Sequence, residues 1–258
     1  MKKGKLGFTL IEVSIFLAIT GVLFVGVTVG VQTSINQQRY NDAVQNFMEF
    51  LRSTYSSVSN VQSVLGRGNS EKAIYGKMVT FGEEYNLAGE KVGADEDTLF
   101  SYTVIGNIGD ADSGNVLQAL ENLDANVVVK DGEGGLRIAG LAESYTPRWS
   151  SHIEKPCSGD TCDYAPFTGT LLIVRHPSSG TVYTFYSPDV AEVNRGIKEG
   201  AFNMSFNSGL FQMDQIDFCV NQNPGVASIR GDVRIMKGAR NASGVELIPE
   251  ERGVCRIK

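Results

Sequence analysis

Histidine is nearly absent from this 258-residue chain: His152 and His176 are the only two, 24 positions apart, with no partner at metal-ligand spacing. No glycine-rich phosphate cradle and no nucleophile elbow is present. Without such a constellation the sequence predicts a non-enzyme with no metal and no cofactor. Positive charge is also short, with 23 basic residues against 29 acidic and a net charge of −6. Lys2, Lys3 and Lys5 all precede Gly7, and the 23 less those three leave 20 against 29, or −9. Such a surface repels nucleic acid on average. There is no internal repeat and no low-complexity segment. An apolar share of 42% and a charged share of 20% fit a globular protein of one large or two small domains with a hydrophobic end.

Charge is scarcest in residues 8–31, where Glu12 is the one ionisable residue in 24 positions. A signal peptide has an apolar stretch of about 7–15 residues closed by small residues. This stretch is longer, and no A-x-A pattern closes it. It is long enough to cross a bilayer as a helix, which takes ~20 residues. Three lysines before it and none just after it place the N-terminus in the cytoplasm. A carboxylate in such a span costs roughly 2.5–3.5 kcal/mol at mid-membrane and less near an end. Either Glu12 reaches back to the headgroups, or it awaits a cation. A cut between Gly7 and Phe8 would create one, the α-amine of Phe8, mostly charged at an ordinary pKa of about 7.7–8.

The residues "KGKLG" followed by "FTLIEVSIFLAITGVL" resemble the leader and helix start of type IV prepilins and of the pseudopilins of type II secretion and related machines. The resemblance covers residues 1 to about 35. It implies that Gly7 precedes the prepilin peptidase cut and that Phe8 is the first mature residue, N-methylated by the same enzyme. It makes Glu12 the assembly glutamate, paired with Phe8 of a neighbouring subunit or, before assembly, with its own Phe8 amine. The partners implied are prepilin peptidase, other pilins or pseudopilins, and an inner-membrane assembly platform. Many major pilins carry a proline where Val29 stands; here Gly26 and Gly30 are the local sources of flexibility.

Beyond the span, Val44, Phe47, Met48, Leu51, Tyr55 and Val58 recur at three- and four-residue steps, so the helix continues with one apolar face. "GRGN" stops it near Leu65, giving a helix of about 87 Å from Phe8. Short apolar runs follow at 77–81, 99–108 and 125–130, with a short helix at 114–125. Hairpins are expected at 169–187 and around "NQNPG", between 216–220 and 226–237. Residues 142–168 read as a long loop. The fold class is α+β: a long N-terminal membrane and filament helix packed on an antiparallel sheet. The divisions are a leader at 1–7, the span at 8–35, the amphipathic continuation at 36–65 and an extracytoplasmic head at 66–258.

Four cysteines allow three pairings; we expect 157–162 within "CSGDTC" and 219–255. Free buried thiols or a four-cysteine zinc site are the alternatives. The 35 residues between Cys219 and Cys255 count against zinc. "GDADSGN" at 109–115 only loosely echoes a calcium loop and reads as a solvated turn, as does "DGEGG" at 131–135. "RGD" at 230–232 falls within an expected strand, and "NAS" at 241–243 fits a glycosylation sequon.

The stretch from Ile229 to Lys258 carries a local excess of positive charge through Arg230, Arg234, Lys237, Arg240, Arg252, Arg256 and Lys258. It suits solvation of a strand, acidic neighbours in a filament, or DNA phosphates. The aromatic interleaving of single-strand binders is missing. The sequence thus predicts a minor pilin or pseudopilin, since about 190 residues beyond the helix is bulky for a densely repeated subunit. A filament-borne binding module, an adhesin or DNA-uptake receptor, is the rival.

Overall fold

The fold comes from a computed structural model of the chain, whose described residues are 9–59, 72–85, 91–107, 137–156, 165–175, 180–188, 211–212, 215–222, 230–249 and 254–255. One helix, α1 (Leu10–Ser59), opens the fold; its 50 residues span about 75 Å. It is unbroken through Gly26, Val29 and Gly30. Its expected end near Leu65 lies outside the described residues. The second half buries Tyr40, Ala43, Val44, Phe47, Leu51, Thr54, Tyr55 and Val58. Their three- and four-residue spacing is the apolar stripe of the sequence, with Met48 partly buried beside it.

Among the described residues ten strands follow, all paired antiparallel: β1 (Lys72–Tyr85), β2 (Lys91–Asn107), β3 (Arg137–Tyr145), β4 (Ser151–Glu154), β5 (Gly169–Arg175), β6 (Val182–Ser187), β7 (Phe211–Gln212), β8 (Ile216–Gln222), β9 (Arg230–Ile235) and β10 (Val245–Ile248). They divide between two sheets, a larger one in the order β3-β2-β1-β5-β6-β7 and a smaller one in the order β10-β9-β8-β4. The long helix on antiparallel sheets is an α+β, pilin-like architecture.

Alternation along the strands decides which side chains meet α1. Val79 and Phe81 of β1 share a core with Leu171 and Ile173 of β5, and Phe218, Val220, Val233 and Ile235 enter it from the smaller sheet. Met78 and Leu172, one position out of phase and paired with each other, are buried as well. β5 is therefore covered on both sides, which explains its continuous apolar run. Phe218 joins the layers, its ring 5.5 Å from Phe47 of α1, 5.5 Å from Phe81 of β1 and 4.7 Å from Phe167.

Polar groups fix the helix to the strands at three places. Arg52 donates from Nε and Nη2 to the carbonyl oxygen of Val245 at 3.0 and 2.9 Å, so β10 is held by the helix as well as by β9. The hydroxyls of Tyr55 and Thr184 are 2.6 Å apart in the core. Arg175 donates to the carbonyl oxygen of Ser59, satisfying an end carbonyl of α1. Gly231 permits the close approach of α1 to β9. A Cβ there would lie 2.5 Å from Val44 Cγ2 and 2.8 Å from the Tyr40 hydroxyl.

The hairpin at 169–187 is β5 and β6, and that around "NQNPG" is β8 and β9. The long loop expected over 142–168 is corrected. Its first residues finish β3, a 3-10 turn forms at Arg148–Ser150, and β4 pairs with β8. Four residues are too few to show an alternation, and the pairing partner lies far along the chain. β2 also begins earlier than the expected 99, because Gly93 and Ala94 pair with Glu84 and Glu83 of β1 in a mostly exposed ribbon. The strand expected at 125–130, the helix at 114–125 and the turns at 109–115 and 131–135 lie outside the described residues.

Candidate functional site

The N-terminal half of α1 has no covering from the rest of the described chain. Leu10, Phe16, Val22, Phe24 and Val29 are all exposed, Leu10 to 85%. A helix this apolar and this bare needs an apolar surrounding, and α1 is long and apolar enough to cross a membrane. Its hydroxyls suit that setting. Ser14 donates to the carbonyl of Ile11, Thr20 to that of Phe16 and Thr28 to that of Phe24, at 2.7–2.9 Å, so none of the three reaches the outside unpaired.

Glu12 is held by Thr9. The Thr9 backbone N–H and hydroxyl both donate to Glu12 Oε2 at 2.8 Å, and the Glu12 N–H donates back to Thr9 Oγ1 at 3.3 Å. This is a capping box: the residue before the helix and the one three positions on satisfy each other's orphan donors. The signal, T-x-x-E in "TLIE", stands in the sequence. Weighing only the charge of Glu12 passes over it. The cap also orients the carboxylate toward the start of the helix, one residue after Phe8 in the chain. Gly7 and Phe8 lie outside the described residues.

The remaining candidates separate. Cys219 and Cys255 form a disulfide on the face of β8 away from α1, whereas Cys157 and Cys162 lie outside the described residues. His152 Nδ1 bonds to Asp97, and His176 lies outside them. The basic C-terminal stretch is partly neutralised, since Arg234 pairs with Asp217 across β8 and β9. "RGD" is not presented to a partner, because Asp232 is only 2% exposed. Asn241 of "NAS" accepts from the Ser243 backbone N–H at 3.0 Å, which shapes the turn before β10. Among the described residues, no three His, Cys, Asp or Glu side chains converge as metal ligands would. A cavity of about 210 Å³ between α1 and β10 is lined by Tyr40, Val44, Gly231, Leu247 and Pro249.

Asp232 ties the C-terminal segment to the smaller sheet, its Oδ2 accepting from the Val254 N–H at 2.8 Å beside Cys255. Its Oδ1 has no hydrogen-bond partner among the described residues. Burial pushes the Asp232 carboxyl up to about 6; the Val254 N–H opposes this, nearby Asp217 adds to it, and Arg234 opposes it. The folded state thus holds this proton more tightly than the unfolded chain, whose Asp titrates near 3.8. By linkage, the contribution of Asp232 to stability rises as pH falls from about 7 through 6 toward 4. The span is on the order of 3 kcal/mol. Asp232→Asn is expected to raise the urea midpoint of the full-length protein in detergent at pH 7–8, a gain that closes by about pH 4. A gain independent of pH would show that the carboxylate is not held so.

Residues 2–28 match the family described as the prokaryotic N-terminal methylation motif. No curated protein and no solved structure gives a significant match to the chain. The family match falls on the residues where the capped, uncovered helix begins. The chain is thus pilin-like, its N-terminus carrying the methylation motif typical of type IV pilins and pseudopilins.

Proposed function

We propose that the protein is a structural and assembly subunit of a type IV pilus-like filament, a minor pilin or a pseudopilin. One observation carries this reading. The methylation motif coincides with a helix whose first half is apolar, bare and capped through its lone carboxylate. In this account a prepilin peptidase cuts between Gly7 and Phe8 and methylates the Phe8 amine. The leader is residues 1–7, the span 8–35, its continuation 36–65 and the head 66–258. The precursor crosses the inner membrane once, with its N-terminus in the cytoplasm and the head outside. Filament assembly transfers residues 8–35 from lipid to the apolar helices of other pilins, on the assembly platform.

Glu12 has two tasks in this scheme. Its Oε2 closes the helix start onto Thr9, which lowers the cost of carrying a carboxylate into lipid. Its charge then meets the Phe8 amine of a neighbour, a pair that is strong in a low dielectric. A DNA receptor draws less support, because Arg234 is already paired. Gly7→Glu tests the processing step: the variant from cells with active prepilin peptidase is expected to retain its whole leader, residues 1–7, by N-terminal peptide mass. Wild-type protein is expected to begin at methylated Phe8. Normal cleavage of the variant would contradict the assigned cut.

A further inference from the structure

The head meets α1 at a strained turn that exposes an aromatic ring. After Val31 the helix stays exposed until Asn36, which is half-buried, and Tyr40 is the first core residue. At this level Arg39 lies over the ring of Trp149, its Cζ 4.8 Å from the centroid. Trp149 belongs to the turn Arg148–Ser150 and is 47% exposed. Trp149 and Ser150 both have left-handed backbone, with φ of 64° and 54°. Such a conformation is unfavourable for a bulky side chain and is characteristic of functional positions. No residue of the turn itself is buried.

The length of α1 fixes the depth of this group. Residues 10–31 cover about 33 Å as a helix, against a hydrocarbon thickness of ~30 Å. Arg39 lies eight residues beyond Val31, or about 12 Å farther along the axis. Helix side chains lean toward the N-terminus, here toward the membrane. That lean brings the guanidinium, and the indole resting on it, back toward the headgroup layer, which extends about 5–8 Å beyond the hydrocarbon. Tryptophan is enriched at that depth because its ring is apolar and its N–H is polar.

We propose that Trp149, with Arg39 and Arg148, forms a lipid-facing foot that seats the head on the outer face of the membrane through anionic phospholipid headgroups. This rests on the reading of α1 as a membrane span. Charge selects the occupant. Arg39 and Arg148 are both exposed and neither is ion-paired among the described residues. They stand out in a chain of net charge −6, and anionic headgroups attract such cations at close range. The foot holds the head in one orientation while the subunit waits in the membrane, and it must release when the helix leaves lipid.

Trp149 is the chain's single tryptophan, so emission excited where only indole absorbs reports on the foot alone. The full-length protein is placed in vesicles of phosphatidylglycerol or phosphatidylcholine carrying bromine near either the carbonyl or the methyl end of the acyl chains. Emission is expected to be lost mainly to the shallow bromines, more in phosphatidylglycerol, with that lipid preference abolished in Arg39→Gln/Arg148→Gln. A reporter at position 24, from the double variant Trp149→Phe/Phe24→Trp, reads the span separately and should be quenched by the deep bromines. A quenched reporter with unquenched Trp149 would overturn the foot and leave the span standing. Failure of both would overturn the membrane reading as well. Equal quenching in the two lipids would remove the anionic preference. Protection of Trp149 that appears only at high protein-to-lipid ratio would assign the ring to a second copy of the chain and overturn the lipid proposal.

Discussion

Glu12→Ala is expected to leave cleavage after Gly7 intact and to reduce the protein in sheared filaments to a small fraction of the wild-type amount. Two losses combine. The helix loses a capping partner, since Oε2 accepts from both the Thr9 N–H and the Thr9 hydroxyl. Caps contribute about 1 kcal/mol. Assembly also loses the charge that would pair with the Phe8 amine of the neighbouring subunit, and an unpaired charge in an apolar filament core costs considerably more than a cap. Glu12→Gln separates the two. Its side-chain oxygen can still accept from Thr9, so the cap survives while the charge goes. We expect Glu12→Gln to fail in assembly nearly as badly as Glu12→Ala, read by immunoblot of sheared and membrane fractions. Incorporation of Glu12→Gln at wild-type levels would reduce Glu12 to a helix cap, and normal incorporation of both variants would end the docking account.

The head should be most sensitive at Phe218. This ring is fully buried and touches Phe47, Phe81 and Phe167, so one side chain joins the helix, the larger sheet and the smaller sheet. Phe218→Ala leaves a cavity with rigid strand backbone on two sides, where relaxation can recover little. The expected cost is about 3–5 kcal/mol, against a typical total of about 5–15 kcal/mol for a folded domain. The urea midpoint should fall accordingly, whereas the same truncation at exposed Met236 should change stability by less than about 0.5 kcal/mol. A loss at Phe218 no larger than that at Met236 would mean that the two sheets are not joined through this ring.

What the sequence makes legible is local. The stripe from Val44 to Val58 has the helical period and becomes the buried face of α1. "GTLLIVRH" and "TVYTFYS" each fill one strand with a short connection, and they pair as β5 and β6. What it hides depends on distant partners. β4 is four residues long and becomes a strand by pairing with β8, far along the chain. Asp232 looks like an outward position on a basic strand, yet it is buried because the segment carrying Cys255 returns over that face. The stacking of Arg39 on Trp149 joins residues far apart in the chain and has no local signature. The capping box is the exception, a pattern complete within the four residues Thr9–Glu12.

In the proposed scheme the N-terminus of this chain is processed and its helix then leaves the membrane for a filament. The most direct test is N-terminal peptide and intact mass on the protein from native membranes and from sheared surface filaments. A terminus at methylated Phe8, present in the sheared fraction, is expected. An uncut Met1 terminus confined to membranes where prepilin peptidase is active would contradict it.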